Sequence, residues 1–188
     1  MLAAIVHLLL CTAGLAQAPA LLTNGGFEAL KPVGPDAQGL VVGWKVGDPP
    51  QLPEGWTLNS AYPGEISIGT EGAHSGTSFV RLQATPKNGA HLYQTCEGLQ
   101  PGQWYRVSLW LRGGPVRLQF YQYFATGPIV TASIGEARAP ADEWREYTTY
   151  YQAAGGDFLR AAFAVEAVTG NAADIDDALI EPLVLPPV

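Results

Sequence analysis

The chain has 188 residues, with 10 Lys and Arg against 17 Asp and Glu and a formal net charge of −7 at pH 7. That acidic balance argues against nucleic acid and anionic lipid as partners, since both call for basic patches. The 22 Gly and 15 Pro interrupt most windows in which apolar residues would recur at helical spacing, which argues against a mainly helical fold.

In chain order, residues 1–20 carry no Asp, Glu, Lys or Arg, and residues 2–10 are apolar apart from His7. Small residues follow at Ala13, Gly14, Ala16 and Ala18. A short apolar run followed by small residues reads as a secretory signal, 1–16, too short to span a bilayer. Cleavage after Ala18 would put Pro19 at the scissile bond, so cleavage after Ala16 is preferred. The expected location is therefore secreted or periplasmic, and no later stretch is apolar for long enough to insert in a membrane. Without the leader, Cys96 is the only cysteine. It excludes an internal disulfide and reads as a small buried hydrophobe.

Residues 31–53 are rich in Pro and Gly and read as a long surface loop broken by a short strand at 40–46. Short runs of period two come next, at 65–69, 78–82, 105–112 and 116–121, bounded by Gly, Pro, Asn and Asp. The Gly113-Gly114-Pro115 break between the last two predicts a β-hairpin. Further runs occupy 147–151, 158–168 and 174–180. Many short strands at regular spacing predict one all-β domain, a β-sandwich over 17–184, with a tail at 185–188.

Alternation sorts the predicted hairpin into two faces. Tyr105, Val107, Leu109 and Leu111 fall on the core side with Val116, Leu118 and Phe120. Arg106, Ser108, Trp110 and Arg112 fall opposite, with Arg117, Gln119, Tyr121 and Tyr123. A face combining Trp, Tyr, Arg and Gln suits sugars, whose C–H faces pack on aromatic rings while their hydroxyls take fixed donors and acceptors. The candidate ligand residues are Trp110, Tyr121 and Tyr123 as platform, with Arg112, Gln119 and Glu166 as polar partners. Trp44 and Trp56 can pack on this sheet as a plug or as part of the platform. Trp104, Trp144 and Tyr147 sit at strand starts and read as structural.

Five motifs occur in a fixed order. These are Asn24-Gly25-Gly26-Phe27-Glu28, Ala73-His74-Ser75-Gly76-Thr77-Ser78, the run from Leu99-Gln100-Pro101-Gly102 into Trp104, Trp144-Arg145-Glu146-Tyr147, and Ile175-Asp176-Asp177. This order resembles the galactose-binding-like jelly roll of the carbohydrate-binding modules in families 4, 9, 16 and 22. The resemblance implies a jelly-roll fold, a polysaccharide or oligosaccharide partner bound without catalysis by a monomeric module, and a structural calcium between the first and last strands. Glu28, Glu71 and either Asp176 or Asp177 would supply carboxylates, and the loop at His74 a backbone carbonyl, because imidazole suits a hard cation poorly. Ordinary turn and strand-end carboxylates are the alternative.

A catalytic reading finds less support. No nucleophile elbow, metalloprotease helix, phosphate loop or dinucleotide fingerprint occurs. A polysaccharide lyase would draw on His74, His91, Tyr121 and Arg112. A protein-interaction module of the cell envelope is the other alternative on the same scaffold.

Overall fold

The computed structural model describes residues 21–34 and 43–183. The expected leader, the run 35–42 and the tail at 185–188 lie outside the described residues. Thirteen strands follow in order, with no helix among the described residues. They are β1 (Leu30–Pro32), β2 (Lys45–Val46), β3 (Gln51–Pro53), β4 (Thr57–Leu58), β5 (Glu65–Gly69), β6 (Phe79–Gln83) and β7 (Ala90–Cys96). The longer strands are β8 (Trp104–Gly113), β9 (Val116–Phe124), β10 (Val130–Ala137), β11 (Arg145–Gln152), β12 (Phe158–Ala167) and β13 (Ala172–Pro182).

Two sheets face each other across one core. The five-stranded sheet has the order β10-β9-β12-β7-β4 and the six-stranded sheet β11-β8-β13-β6-β5-β2, while β1 and β3 form a separate pair. Pairing is antiparallel except between β2 and β5. The expected jelly-roll sandwich is present.

The inward residues are those the alternation indicates. Tyr105, Val107, Leu109 and Leu111 on β8 meet Val116, Leu118 and Phe120 on β9, with Ala161, Phe163, Val165 and Ala167 on β12. Phe120 stacks on Tyr151 at 3.6 Å and lies 5.4 Å from Phe163. Each such large apolar side chain contributes about 1.5–3 kcal/mol by leaving water. The polar groups that enter this core are bonded. The Tyr151 hydroxyl and the Ala154 amide both donate to Gln122 Oε1. Burial raises the Tyr151 phenol well above its ordinary value and pushes the Cys96 thiol up to about 12, leaving both neutral. Trp56 belongs to this core as well, buried against Phe27 and Phe163, and so is neither plug nor platform.

One expectation fails with consequences for the site. β8 and β9 are not a hairpin, because β8 pairs with β11 and β13 while β9 pairs with β10 and β12. Gly113 and Gly114 both have positive φ, 77° and 106°, as a hairpin turn can require. Yet the Gly113 amide donates to Pro140 O and the Gly114 amide to Ala172 O. Their hydrogen bonds go to other segments, and the chain passes from one sheet to the other. The residues that alternation grouped on one outer face therefore lie on opposite sides of the sandwich. The expected loop at 31–53 also contributes β1, β2 and β3, and β7 and β10 occur where no strand was expected.

Candidate functional site

The outer face of the five-stranded sheet is built from alternate residues of β7, β12, β9 and β10, whose registers place them in rows. His91, Glu166, Arg117 and Glu136 stand abreast in one row. Tyr93, Ala164, Gln119 and Ser133 form the next, and Thr95, Ala162, Tyr121 and Thr131 the third. Arg160 opposes Tyr123 beyond them, its guanidinium 4.9 Å from the ring centre. Central strand β12 offers only methyl groups at 162 and 164, while Tyr93 and Tyr121 stand on either side of it, 6.1 Å apart and nearly perpendicular. The two rings meet edge to face, Ala162 and Ala164 are fully buried, and the tyrosines themselves form the partly exposed aromatic surface of this face.

The first row is polar, and its His91 and Glu166 are buried. Arg117 Nη1 donates to both oxygens of Glu166, at 3.1 and 2.9 Å. His91 Nε2 lies 3.4 Å from the same carboxylate, and His91 Nδ1 lies 2.7 Å from the Tyr121 hydroxyl. Burial pushes the Glu166 carboxyl up, but the hydrogen bond to His91 and the charges of His91 and Arg117 outweigh it, so Glu166 sits below the usual carboxylate range. Burial pushes the Tyr121 phenol up to about 12, against the hydrogen bond with Asn59. Gly89 makes the cluster possible, because a Cβ there would stand 2.5 Å from Glu166 Oε1. Tyr62 caps the row from the loop after β4, its ring 4.1 Å from that of His91 and 44% exposed.

Part of the outer face of the six-stranded sheet, around Trp110 and Arg112, is covered by the chain itself. Trp110 lies under the His74 ring at 3.6 Å, and Trp144 meets His74 edge-on at 6.3 Å. Arg112 packs over Phe79 and Trp144 and shares the buried Asp174 with Arg81. Both Trp144 Nε1 and Arg112 Nη1 donate to Gly72 O, which ties the loop from 70 to 78 onto the sheet. Trp144 is thus structural, as its position suggested. Trp110 and Arg112 are corrected. They belong to this latch and not to the open face, since β8 lies in the other sheet from β9.

Of the expected ligand residues, the structure brings together Tyr121, Tyr123, Gln119 and Glu166. It adds Tyr62, His91, Tyr93, Arg117 and Arg160. Strand β7 escaped notice because its inward row, Ala90, Leu92, Gln94 and Cys96, is interrupted by a glutamine. That glutamine is bonded to Thr23, so its polarity is satisfied at the core edge.

The expected calcium residues form a clasp. Glu28 accepts from Thr77 N, Thr77 Oγ1 and Ser78 N, and its pKa is lowered by those bonds, the Thr77 hydroxyl first. Asp176 is fully buried and accepts from His74 N, Ser75 N and Asp177 N. Asp177 takes the His74 ring at 2.7 Å and the Ser75 hydroxyl at 2.8 Å. Glu71 is exposed in the preceding turn. Among the described residues no group of three or more His, Cys, Asp or Glu side chains converges as a metal-binding set. The Asp176 charge is buried with no Lys or Arg beside it among the described ion pairs, and burial raises its pKa.

Comparison with known proteins agrees with this architecture. The sequence profile of a carbohydrate binding domain matches residues 19–171. No curated protein matches the chain. Among solved structures, the xylan-binding domain CBM22-1 of Paenibacillus barcinonensis Xyn10C superposes with TM-score 0.56 at 11% identity, over 71% of this chain and 88% of that one. The family 22 module of Clostridium thermocellum Xyn10B, described by residues in its cleft that bind ligand, gives 0.54 at 16% identity, over 71% and 89%. A bacteriophage CBA120 tailspike gives 0.56 at 12%, over 87% of this chain and 21% of that one. At these identities the superpositions establish the fold, and the profile establishes the family: the chain belongs to the carbohydrate binding domain family.

Proposed function

We propose that the protein binds a polysaccharide or oligosaccharide on the outer face of the five-stranded sheet, and that it does so without cleaving it. The observation that carries this reading is the partly exposed surface of Tyr93, Tyr121 and Tyr123 on this face, with a fixed polar row at its end. Rings supply the flat packing surface for sugar C–H groups, and Gln119, Arg117 and Arg160 supply directed donors. The xylan-binding and xylohexaose-bound relatives make a β-linked xylan the first ligand to try. Against catalysis, Glu166 is held below the usual carboxylate range by His91 and Arg117, the opposite of the raised value a general acid requires.

Affinity electrophoresis against xylan, β-glucan, mannan and acidic polysaccharides tests binding, with reducing-end and unsaturated-product assays on the same mixtures. Retention by at least one polysaccharide with no product supports the reading. No retention by any, or product formation, overturns it.

We also propose that calcium binds at the clasp, held by the Asp176 carboxylate with backbone carbonyls. It would neutralise a buried charge and add stability through binding linkage. Export as a monomer through the leader at 1–16 completes the proposal, supported by the uncharged apolar run ahead of Ala16.

A further inference from the structure

Glycan packing by itself gives no reason for an imidazole buried to 4% exposure behind the open face. His91 reaches three polar side chains from two other strands, and a ring from a loop covers it. We propose that His91 is a positioning residue: a neutral imidazole, with its proton on Nε2, that fixes the Tyr121 hydroxyl and the Gln119 amide for ligand and makes glycan binding weaken in acid. This rests on the reading of that face as the glycan site.

The contacts select one protonation state. Glu166 Oε2, 3.4 Å from Nε2, is a carboxylate oxygen and can only accept, so Nε2 carries the hydrogen. Gln119 Nε2, 3.3 Å from Nδ1, can only donate, so Nδ1 is the acceptor. The Tyr121 hydroxyl at 2.7 Å then donates to the single Nδ1 lone pair, and the Gln119 amide is left to bond the Tyr121 oxygen. Gln119 Nε2 also lies 3.3 Å from that hydroxyl, which accepts from it. In this state every contact pairs a donor with an acceptor.

A second proton on the ring breaks the arrangement at Nδ1. Its N–H would face the Gln119 NH2 group, donor against donor, so the amide must turn over. The Tyr121 hydroxyl would change from donor to acceptor and release its hydrogen in a new direction. Gln119 is buried at 6% exposure behind Tyr121, which is partly exposed on the ligand face, so the pattern offered to a sugar is rewritten through the Tyr121 hydroxyl. The charged groups facing the ring are Glu166 on β12, Arg117 on β9, which is paired with Glu166, and Glu136 on β10, 4.0 Å from Arg117. Tyr62 covers the ring from solvent, and Asn59 donates its backbone amide to His91 O and bonds the Tyr121 hydroxyl with its side chain.

Long-range 1H–15N NMR of the free protein reads the ring directly, and only His7, His74 and His91 contribute. His91→Asn assigns the signal. Calorimetric titration with xylohexaose from about pH 8 to about pH 5 reads the consequence. At neutral pH the proton is expected on Nε2. Affinity is expected to fall about tenfold, the worth of roughly one hydrogen bond, across the ring's own titration. His91→Asn keeps an acceptor near the Nδ1 position but does not titrate, so it should show no such step. Tyr121→Phe, which removes the reversing hydroxyl, should flatten the step and gives a second variant should the first fail to fold. A proton on Nδ1 at neutral pH overturns the inference, as does a step that persists in either variant. If xylohexaose is bound at no pH, the glycan reading fails, and the NMR protonation site still supports or overturns the His91 assignment.

Discussion

The two outer faces of the sandwich carry similar residues and meet different fates. On the six-stranded sheet, Trp110, Trp144, Arg112 and Phe79 are roofed by the loop from 70 to 78, with His74 stacked on Trp110 and Gly72 O bonded by two side chains. On the five-stranded sheet, Tyr93, Tyr121 and Tyr123 are partly exposed on a face that no such loop crosses among the described residues, and Tyr62 stands only at its end. An aromatic–cationic surface is a platform for ligand only where the chain leaves it uncovered. Where its own loop supplies the partners, the same residues hold the fold together.

The strongest way to break this comparison is on the covered face. Asp174→Ala leaves Arg81 and Arg112 without their shared carboxylate, one of them largely shielded from water. It is expected to cost about 3 kcal/mol in chemical denaturation while glycan retention stays unchanged. Trp110→Ala follows, at about 2 kcal/mol because the ring is only partly buried, again with retention unchanged. Loss of binding in either variant at full folding would put the ligand on this side.

The open face should give the inverse pattern. Tyr93→Ala is expected to weaken glycan binding by about 1–2 kcal/mol, roughly tenfold, and to lower stability by less than the Trp110 variant does. Glu166 adds a pH signature. Its pKa is lower folded than unfolded, so the stability it contributes is complete above the ordinary carboxylate range. That stability drains away as pH falls through the lowered folded value. Glu166→Gln should remove this part of the acid sensitivity, seen as a flatter melting temperature between about pH 6 and about pH 3. The smallest expected effect is at the clasp, where chelation should lower the melting temperature by a few degrees and added calcium restore it.

Much of the fold was legible from period two alone. The run 65–69 coincides with β5, and the inward rows of β8 and β9 are core residues as alternation requires. Alternation is a local signal, though. It says which residues of a strand share a side, and it is silent on which strands share a sheet. Gly113-Gly114-Pro115 carries the composition of a hairpin turn, but its amides bond to Pro140 and Ala172, segments that sequence proximity gives no reason to consider. The site suffered accordingly. Tyr121, Tyr123, Gln119 and Glu166 stand together, while Trp110 and Arg112 moved to the opposite face with their sheet. Tyr93 was missed, and His91 was weighed only for catalysis, because Gln94 breaks the apolar row of β7, and the Thr23 contact that satisfies it comes from a distant segment. Tyr62 lies in a loop, where no periodicity exists to mark it.

The central claim is that ligand sits on the five-stranded sheet and not on the six-stranded one. Titrating 15N-labelled protein with xylohexaose and mapping the amide shifts tests it directly. The account predicts shifts concentrated on β7, β9 and β12 around Tyr93, Gln119, Tyr121 and Glu166, with β8 and the loop from 70 to 78 unmoved. Shifts centred on Trp110 and His74 would contradict it.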